Sequence, residues 1–108
     1  MPAIALRDLQ GSPWRRRETW VQAFFRYETP ESSRRIIYLL AWRGGPPDYE
    51  CYISIDNMAF QTATSHNTVR AGLSWLCDNG WLIWLNPDNR GGRNRSNIYA
   101  LSLPDYVT

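Results

Sequence analysis

The chain has 108 residues, which suffices for one domain with a modest hydrophobic core. Hydrophobic residues make up 44% of it and the formal net charge is only +2, so the composition indicates a globular protein and favours no class of partner by charge alone. No stretch resembles a signal peptide or approaches the roughly 18 apolar residues of a membrane span, and we therefore expect a cytoplasmic protein without membrane contact.

The kinds of polar residue narrow the function further. Every basic residue is arginine, whose planar guanidinium suits phosphate and guanine edges, although the codon usage of a GC-rich genome would give the same result. Cys51 and Cys77 stand in no CxxC pattern, and the lone His66 has no ligand beside it in sequence. We therefore expect reduced thiols, no metal site and no cofactor.

Residues 1–11 carry no strong pattern and are predicted to be weakly ordered. A first helix then begins with Ser12 as its N-cap and Pro13 in its first turn. Its predicted apolar stripe consists of Trp14, Val21, Phe24 and Phe25, with Trp20 on the flank.

A second helix repeats this pattern, with Thr29 as its cap, Pro30 in its first turn and Gly44 at its end. One face is predicted to consist of Ser33, Ile36, Ile37, Leu40 and Ala41, and the opposite face largely of Tyr38, Leu39 and Trp42. A helix that is apolar nearly all round is buried on two sides, so we expect the first helix or a second subunit to cover the opposite face.

The next segment alternates short elements with polar caps. After the loop GGPPDYE, the residues CYIS are predicted to form a short strand, and Ser54 can cap the short helix IDNMAFQTA. A tight turn follows, and Ser65 caps the helix HNTVRAGLSWLCDN, which Gly80 ends.

The C-terminal part is predicted to be a β-hairpin. Residues 81–86 and 97–103 alternate apolar and polar side chains around a turn rich in Pro, Asp, Asn and Gly. The tail PDYVT is predicted to be irregular.

This order of elements resembles the winged helix-turn-helix domain of phage and plasmid replication initiators and of many bacterial transcription regulators. The resemblance covers residues 33–103 and includes the aliphatic helix, the pattern S-I-x-x-M-A, and the basic, glycine-rich segment RGGRNRSNIYAL. The other matching residues are Ser65, Thr68, Val69, Leu73, Leu76, Gly80, Trp81 and Leu82. It implies an α+β, mainly α fold: a winged helix-turn-helix with an extra N-terminal helix and a C-terminal β-hairpin wing. The single domain would span residues 12–108, with its core in 30–103.

The chain departs from this family in two places. The turn between the short helix and the next carries Ala63 and Thr64 where the family has glycine and an aliphatic residue. A left-handed alanine costs on the order of 1 kcal/mol, so the turn is expected to differ in detail. Ala71 and Trp75 stand at outward positions that are usually basic or polar, and this weakens the case for base readout.

Helical spacing divides the helix after Ser65 into two sides. The inward residues are Val69, Gly72, Leu73 and Leu76, and the outward ones are Asn67, Ala71, Ser74 and Asp78, with Arg70 and Trp75 at the two edges. Gly72 is expected to permit a close approach to the preceding helices.

In a major groove this helix offers several contacts. Asn67 suits adenine and Arg70 suits guanine or phosphate, while Ser65, His66 and Thr68 lie where backbone amides hold phosphate. The alternatives are that Asn67 only supports the first turn, that His66 is a solvated neighbour of the cap, and that Ser74 is either a spectator or a phosphate contact.

Two clusters of arginine lie outside this helix. Arg90, Arg93 and Arg95, together with Asn94, form a hairpin tip that can enter a minor groove or follow phosphates, unless it is a solvated turn. Arg15, Arg16 and Arg17 are either a second phosphate contact or the polar face of the first helix.

These observations predict a small protein that binds double-stranded DNA sequence-specifically, as a transcription regulator or as the DNA-binding part of a phage or plasmid replication initiator. A homodimer is expected, with Trp14, Trp20, Trp42 and Trp75 as dimer or packing contacts. The alternative is a winged-helix module for protein–protein interaction. An enzyme is not expected, because His66 lies at a helix start and the P-loop pattern is absent.

Overall fold

The computed structural model of the chain describes residues 3–9, 13–45, 47–86 and 96–107. These residues form an α+β, mainly helical fold, as the sequence predicts. The helices are α1 (Pro13–Phe25), α2 (Glu31–Arg43), α3 (Ile55–Thr62) and α4 (His66–Asp78). The strands are β1 (Ala3–Ala5), β2 (Glu50–Ser54), β3 (Leu82–Trp84) and β4 (Ser96–Pro104).

The sheet is organised around β4, with which each of the other three strands pairs in antiparallel fashion. The β2 strand pairs from Glu50 opposite Ala100 to Ser54 opposite Ser96. The β3 strand pairs with residues 99–101 of β4, which confirms the predicted hairpin with a shorter first strand. A single long strand therefore holds together segments from both ends and the middle of the chain.

The N-terminus differs from the sequence-based expectation, because residues 3–9 are structured rather than weakly ordered. The β1 strand pairs with β4 from Ala3 opposite Pro104 to Ala5 opposite Ser102. A short 3₁₀ helix follows, in which Leu6 is fully buried, and Arg7 lies 3.9 Å from the carboxylate of Glu50. A three-residue strand has too little sequence for its alternation to be visible, and its register is set by residues at the other end of the chain.

The helix α1 buries only part of its predicted apolar stripe, because Phe24 lies in the core and Val21 packs against it but Phe25 does not. Trp20 and Phe24 are fully buried and Ala23 nearly so, whereas Phe25 is exposed. The indole Nε1 of Trp20 donates to the carbonyl oxygens of Trp81 at 3.1 Å and Ser102 at 2.7 Å, so this side chain joins α1 to the sheet. The prediction that Trp20 lies on the flank of the apolar stripe is wrong because its partners are distant in sequence. Ser12 lies outside the described residues.

The helix α2 is the centre of the helical layer, and its predicted inward face is confirmed. The buried residues are Ser33, Ile36, Ile37, Leu40 and Ala41. The opposite face is only partly covered within the single chain, because Leu39 is half-buried whereas Tyr38 and Trp42 are exposed; cover by a second subunit stays a prediction. The helix starts one residue later than expected: Pro30 is in the cap position, and Thr29 Oγ1 accepts a hydrogen bond from Arg34 Nε at 2.9 Å.

The helices α3 and α4 are joined by a three-residue turn, and both have the serine caps that the sequence predicts. Ser54 Oγ accepts from the amide of Asn57, and Ser65 Oγ accepts from that of Thr68. Between them Ala63 is left-handed, at φ 54° and ψ 42°. The turn therefore keeps the conformation that favours glycine, with alanine in its place.

Close contact between α2 and α4 fixes the direction of α4. A Cβ built on Gly72 would lie 2.6 Å from the carbonyl oxygen of Ser32, so only glycine fits there without a shift. Ser33 Oγ donates to the carbonyl oxygen of Gly72 at 3.0 Å. The predicted inward residues Val69, Gly72, Leu73 and Leu76 are all buried, which confirms that side of the helix.

The two ends of the hairpin are anchored. Gly80 follows α4 at φ 84°, and the amide of Trp81 donates to the carbonyl oxygen of Leu76 at 2.9 Å. At the other end, Asn86 Oδ1 accepts from the amide of Ile98 at 2.8 Å and from Trp84 Nε1 at 3.0 Å. The tail after β4 is a short 3₁₀ helix, Asp105–Val107, rather than irregular.

Candidate nucleic-acid interface

The start of α4 is held by the hydroxyl groups of Ser65 and Thr68, two residues that are predicted to lie where backbone amides hold phosphate. Ser65 Oγ lies 3.1 Å from the amide of Thr68 and 2.9 Å from Thr68 Oγ1. The two hydroxyls thus satisfy one another and one of the free amides of the first turn. Their first role is to fix where the helix begins, and other amides of that turn remain for a ligand.

His66 connects the two helices on either side of the turn. Its Nε2 hydrogen-bonds to Oδ1 of Asp56 in the first turn of α3. The sequence analysis treats His66 as a phosphate contact or as a solvated neighbour of the cap, and the structure adds this partner. The hydrogen bond to Asp56 restricts the orientation of the imidazole ring towards a ligand at the start of α4.

The outward side of α4 is polar and open, as the spacing predicts. Asn67, Arg70 and Ser74 are exposed, with Arg70 Nη1 at 3.5 Å from Asn67 Oδ1, and Ala71 lies between them. Asn67 keeps its amide donors and Arg70 most of its guanidinium donors for a ligand. The three side chains suited to base edges or phosphate are therefore presented together by one rigid helix.

A polar cleft lies beside this surface, where the first turns of α2 and α4 meet. It has a volume of about 420 Å³ and is lined by Glu31, Ser32, Arg35, Thr64, Ser65 and Thr68. Arg35 Nη2 forms an ion pair with Glu31 Oε1 at 2.9 Å. Arg35 is not among the residues predicted for the site, because its position beside α4 depends on the crossing of α2 and α4 near Gly72.

The tryptophans predicted as dimer or packing contacts have separate fates. Trp20 belongs to the core, and Trp75 is half-buried, with its ring edge-on to that of Phe24 at 6.4 Å between centroids. Trp75 is therefore a contact between α4 and α1, one of the roles foreseen for it. Trp42 is 71% exposed, and the side chain of Trp14 lies outside the described part of the chain.

Of the three clustered arginines of the first helix, the structure describes the side chain of Arg17 alone, and it lies at the end of α2. Arg17 Nη1 donates weakly to the carbonyl oxygens of Ala41 and Trp42, both at 3.4 Å. A cation there satisfies the last carbonyls of α2 and complements its dipole. The side chains of Arg15 and Arg16 lie outside the described residues, so the second phosphate contact stays a prediction.

The remaining predicted DNA contacts lie in the segment that connects β3 to β4. Asn86 and Ser96 bound the segment that contains Arg90, Arg93, Asn94 and Arg95, which lies outside the described residues. The hydrogen bonds at Asn86 and Ile98 place the base of this segment at the end of the β3–β4 pair. The contact of these arginines with DNA stays a prediction.

The two cysteines are packed against the core, and their thiols are weakly reactive. Burial raises the pKa of the Cys51 thiol to about 11 and that of Cys77 to about 12, the latter with a further contribution from Asp78. Both thiols are protonated at neutral pH and are poor nucleophiles. Among the described residues, no group of three or more His, Cys, Asp or Glu side chains is placed to hold a metal ion.

The described helices include none with the length and apolar character needed to cross a bilayer. No model of a protein family matches the chain. Searches among curated proteins and among solved structures likewise find no match. The case for function therefore depends on the arrangement of the residues themselves.

Proposed function

We propose that this chain is a winged helix-turn-helix protein that binds double-stranded DNA sequence-specifically. In this proposal α3 and α4 are the helix-turn-helix, α4 enters the major groove, and the segment between β3 and β4 is the wing. The process served is transcription regulation or the initiation of phage or plasmid replication. The observation that carries the proposal is the outward side of α4, where Asn67, Arg70 and Ser74 are exposed on a helix whose other side is core.

The geometry supports this reading in three ways. The α4 helix is fixed by Gly72 against Ser32, so its outward side has one direction relative to the rest of the domain. Asn67 and Arg70 have the amide and guanidinium groups that pair with adenine and guanine edges. Arg35 on α2 is exposed in the cleft at the start of α4, and the guanidinium donors that its pair with Glu31 leaves free would meet the backbone of the duplex.

The wing adds the second contact in this proposal. Three arginines between Asn86 and Ser96 would lie next to the same duplex, because β3 follows α4 after only three residues. Arg90, Arg93 and Arg95 would then neutralise phosphates or enter the minor groove. Since such contacts release counterions, they make affinity strongly dependent on salt.

A salt titration on a random-sequence duplex tests the proposal. Wild-type protein is expected to bind at low salt, with an affinity that falls linearly on logarithmic axes as salt rises. Replacing Arg90, Arg93 and Arg95 by alanine together should abolish most of this binding, and Arg70→Ala should reduce the slope by about one. Arg7→Ala is the matched control, because it removes one positive charge from the short 3₁₀ helix beside Glu50 and should change little.

The second candidate function is a winged-helix module for protein–protein interaction. It is favoured by Ala71, a small apolar residue in the middle of the outward side of α4, and by the net charge of only +2. A wild-type protein that ignores DNA at low salt would overturn the DNA proposal and favour this one. Triple-variant binding equal to wild type would remove the wing from the proposal but leave α4.

A further inference from the structure

Three exposed aromatic side chains of the described residues lie along α1 and α2, beside the groove between these helices. Tyr38 and Trp42 are 65% and 71% exposed on α2, and Phe25 is 41% exposed on α1. The rings of Phe25 and Tyr38 touch, with 5.6 Å between their centroids. The groove beside them has a volume of about 450 Å³ and includes Val21 in its lining. We call Phe25, Tyr38, Trp42 and this groove the aromatic face.

We propose that a second copy of this chain covers the aromatic face, with Trp42 of each copy seated in the α1–α2 groove of the other. The proposal gives a place to the homodimer that the sequence predicts, and it does not depend on DNA binding. It uses Tyr38 and Trp42, which stay largely exposed although Phe25 contacts the first and the Arg43 guanidinium lies 5.7 Å from the ring centre of the second.

The first argument is that the face is complementary to itself. In a two-fold dimer the same patch must serve as both surfaces. Here a protruding indole and a groove lie side by side, because Trp42 is itself at the rim of the groove that Val21 and Tyr38 line. A groove of about 450 Å³ is within the size range that accepts a bicyclic ring. Rotation by half a turn therefore brings each indole to the other copy's groove.

The charges that line the groove also suit a second copy of the chain. Arg17 and Glu18 are adjacent on α1 and both line the groove. Glu18 is exposed and takes part in no ion pair among the residues that the structure describes. A second copy brings one charge of each sign to the same rim, so neither copy has to face only like charge. A strongly acidic or strongly basic partner would match only one of the two.

The exposed area of the aromatic face can be compared with the area that a stable interface buries. At their exposed fractions, the three aromatic side chains contribute roughly 300–400 Å² of accessible surface. A standard interface buries about 800 Å² on each partner, so the aromatic face supplies nearly half of it before the groove walls are counted. The aromatic face is therefore large enough to form the centre of such an interface, with Trp42 as its central contact.

The face is also separate from α4. Ser33 on the buried side of α2 donates to Gly72 of α4, whereas Tyr38 and Trp42 lie on the other side of α2. Pairing through the aromatic face thus leaves Asn67 and Arg70 uncovered. Dimerisation and the proposed DNA contact are therefore expected to be removable one at a time.

Sedimentation equilibrium of the full chain without DNA tests the proposal. Wild-type protein should show a monomer–dimer equilibrium, and Trp42→Ala should raise the dimer Kd by about 30-fold or more. Tyr38→Ala is a second variant with a smaller expected rise. Circular dichroism and thermal unfolding confirm that both variants fold, which is expected because both side chains are largely exposed.

Phe60→Ala is the matched control. Phe60 is the most exposed of the large aromatic residues described, at 85%, but it lies on α3, away from the groove. It should leave the dimer Kd unchanged. Glu18→Arg should weaken the dimer, because the rim of the groove then carries like charge on both copies.

Three results would overturn the proposal. A wild-type chain that stays monomeric at hundreds of micromolar would mean that something else covers the face. A dimer that is insensitive to both Trp42→Ala and Tyr38→Ala would place the contact elsewhere. Equal weakening by Phe60→Ala would show a general loss of apolar surface instead of a specific seat. None of these results bears on DNA binding, which is measured separately.

Discussion

The outward side of α4 and the aromatic face on α1 and α2 differ in how they tolerate water. Asn67, Arg70 and Ser74 are exposed to water when nothing is bound. When a ligand binds, their hydrogen bonds to water are replaced by hydrogen bonds to the ligand, and the net gain in free energy is small. Tyr38 and Trp42 expose apolar rings whose burial is favourable against almost any fitting surface. The first surface can select a partner by geometry, whereas the second mainly supplies affinity.

Close packing at Gly72 fixes α4, which carries the polar surface, against α2, and breaking it gives the largest expected effect. Gly72→Ala puts a Cβ 2.6 Å from the carbonyl oxygen of Ser32. We expect a net destabilisation of about 2 kcal/mol, even though alanine gains about 1 kcal/mol in helix propensity. Urea unfolding followed by circular dichroism measures it.

The control for this substitution is Ser74→Ala, which changes an exposed position of the same helix. It should alter the free energy of unfolding by no more than about 0.5 kcal/mol. A Gly72→Ala protein as stable as wild type would contradict the close approach of α2 and α4.

A negative charge in the middle of the outward side of α4 should weaken DNA binding without affecting dimerisation through the aromatic face. Ala71 is exposed between Asn67 and Ser74, so Ala71→Glu would place a carboxylate against the phosphates or base edges of a bound duplex. We expect DNA affinity to fall about tenfold or more, while the dimer Kd stays unchanged. Fluorescence anisotropy and sedimentation equilibrium measure the two quantities.

Ala71→Gln is the matched control, because it has nearly the same size without the charge. It should retain most of the affinity for DNA. If Ala71→Glu binds DNA as well as wild type does, then α4 is not the contacting helix, and the second candidate function gains support.

The smallest expected effect concerns the turn that sets the direction of α4. Ala63 is left-handed, which costs about 1 kcal/mol or more for alanine, whereas glycine loses more entropy on folding. Ala63→Gly should therefore stabilise the protein by about 0.5 kcal/mol, as measured by the urea midpoint. Ala71→Gly, the same change inside a helix, should destabilise it by about 1 kcal/mol. The same sign for both variants would refute the strain at Ala63.

Local periodicity predicted the helical layer well. The spacing of the apolar residues identified the buried side of α2 and that of α4, and both serine caps are in place. These features depend on residues three or four apart, so the sequence contains them directly. The polar side of α4 followed from the same arithmetic.

Features that depend on distant residues were missed. Trp20 is buried because it donates to Ser102, and β1 exists because β4 offers it an edge. Both partners lie far along the chain, where local patterns carry no information. Tyr38 and Trp42 were expected to be covered, but α1 packs on one flank of α2 only, and the direction of that packing is a tertiary property.

The central position of β4 has a consequence for folding during translation. Within the described residues, β1, β2 and β3 each pair with β4, and the first of them is made almost a hundred residues earlier. The helices can form as they emerge, but three strand segments must wait for the last one. Such a nascent chain completes its sheet only after β4 has emerged from the ribosome, and until then its unpaired strands are exposed to aggregation and to chaperones.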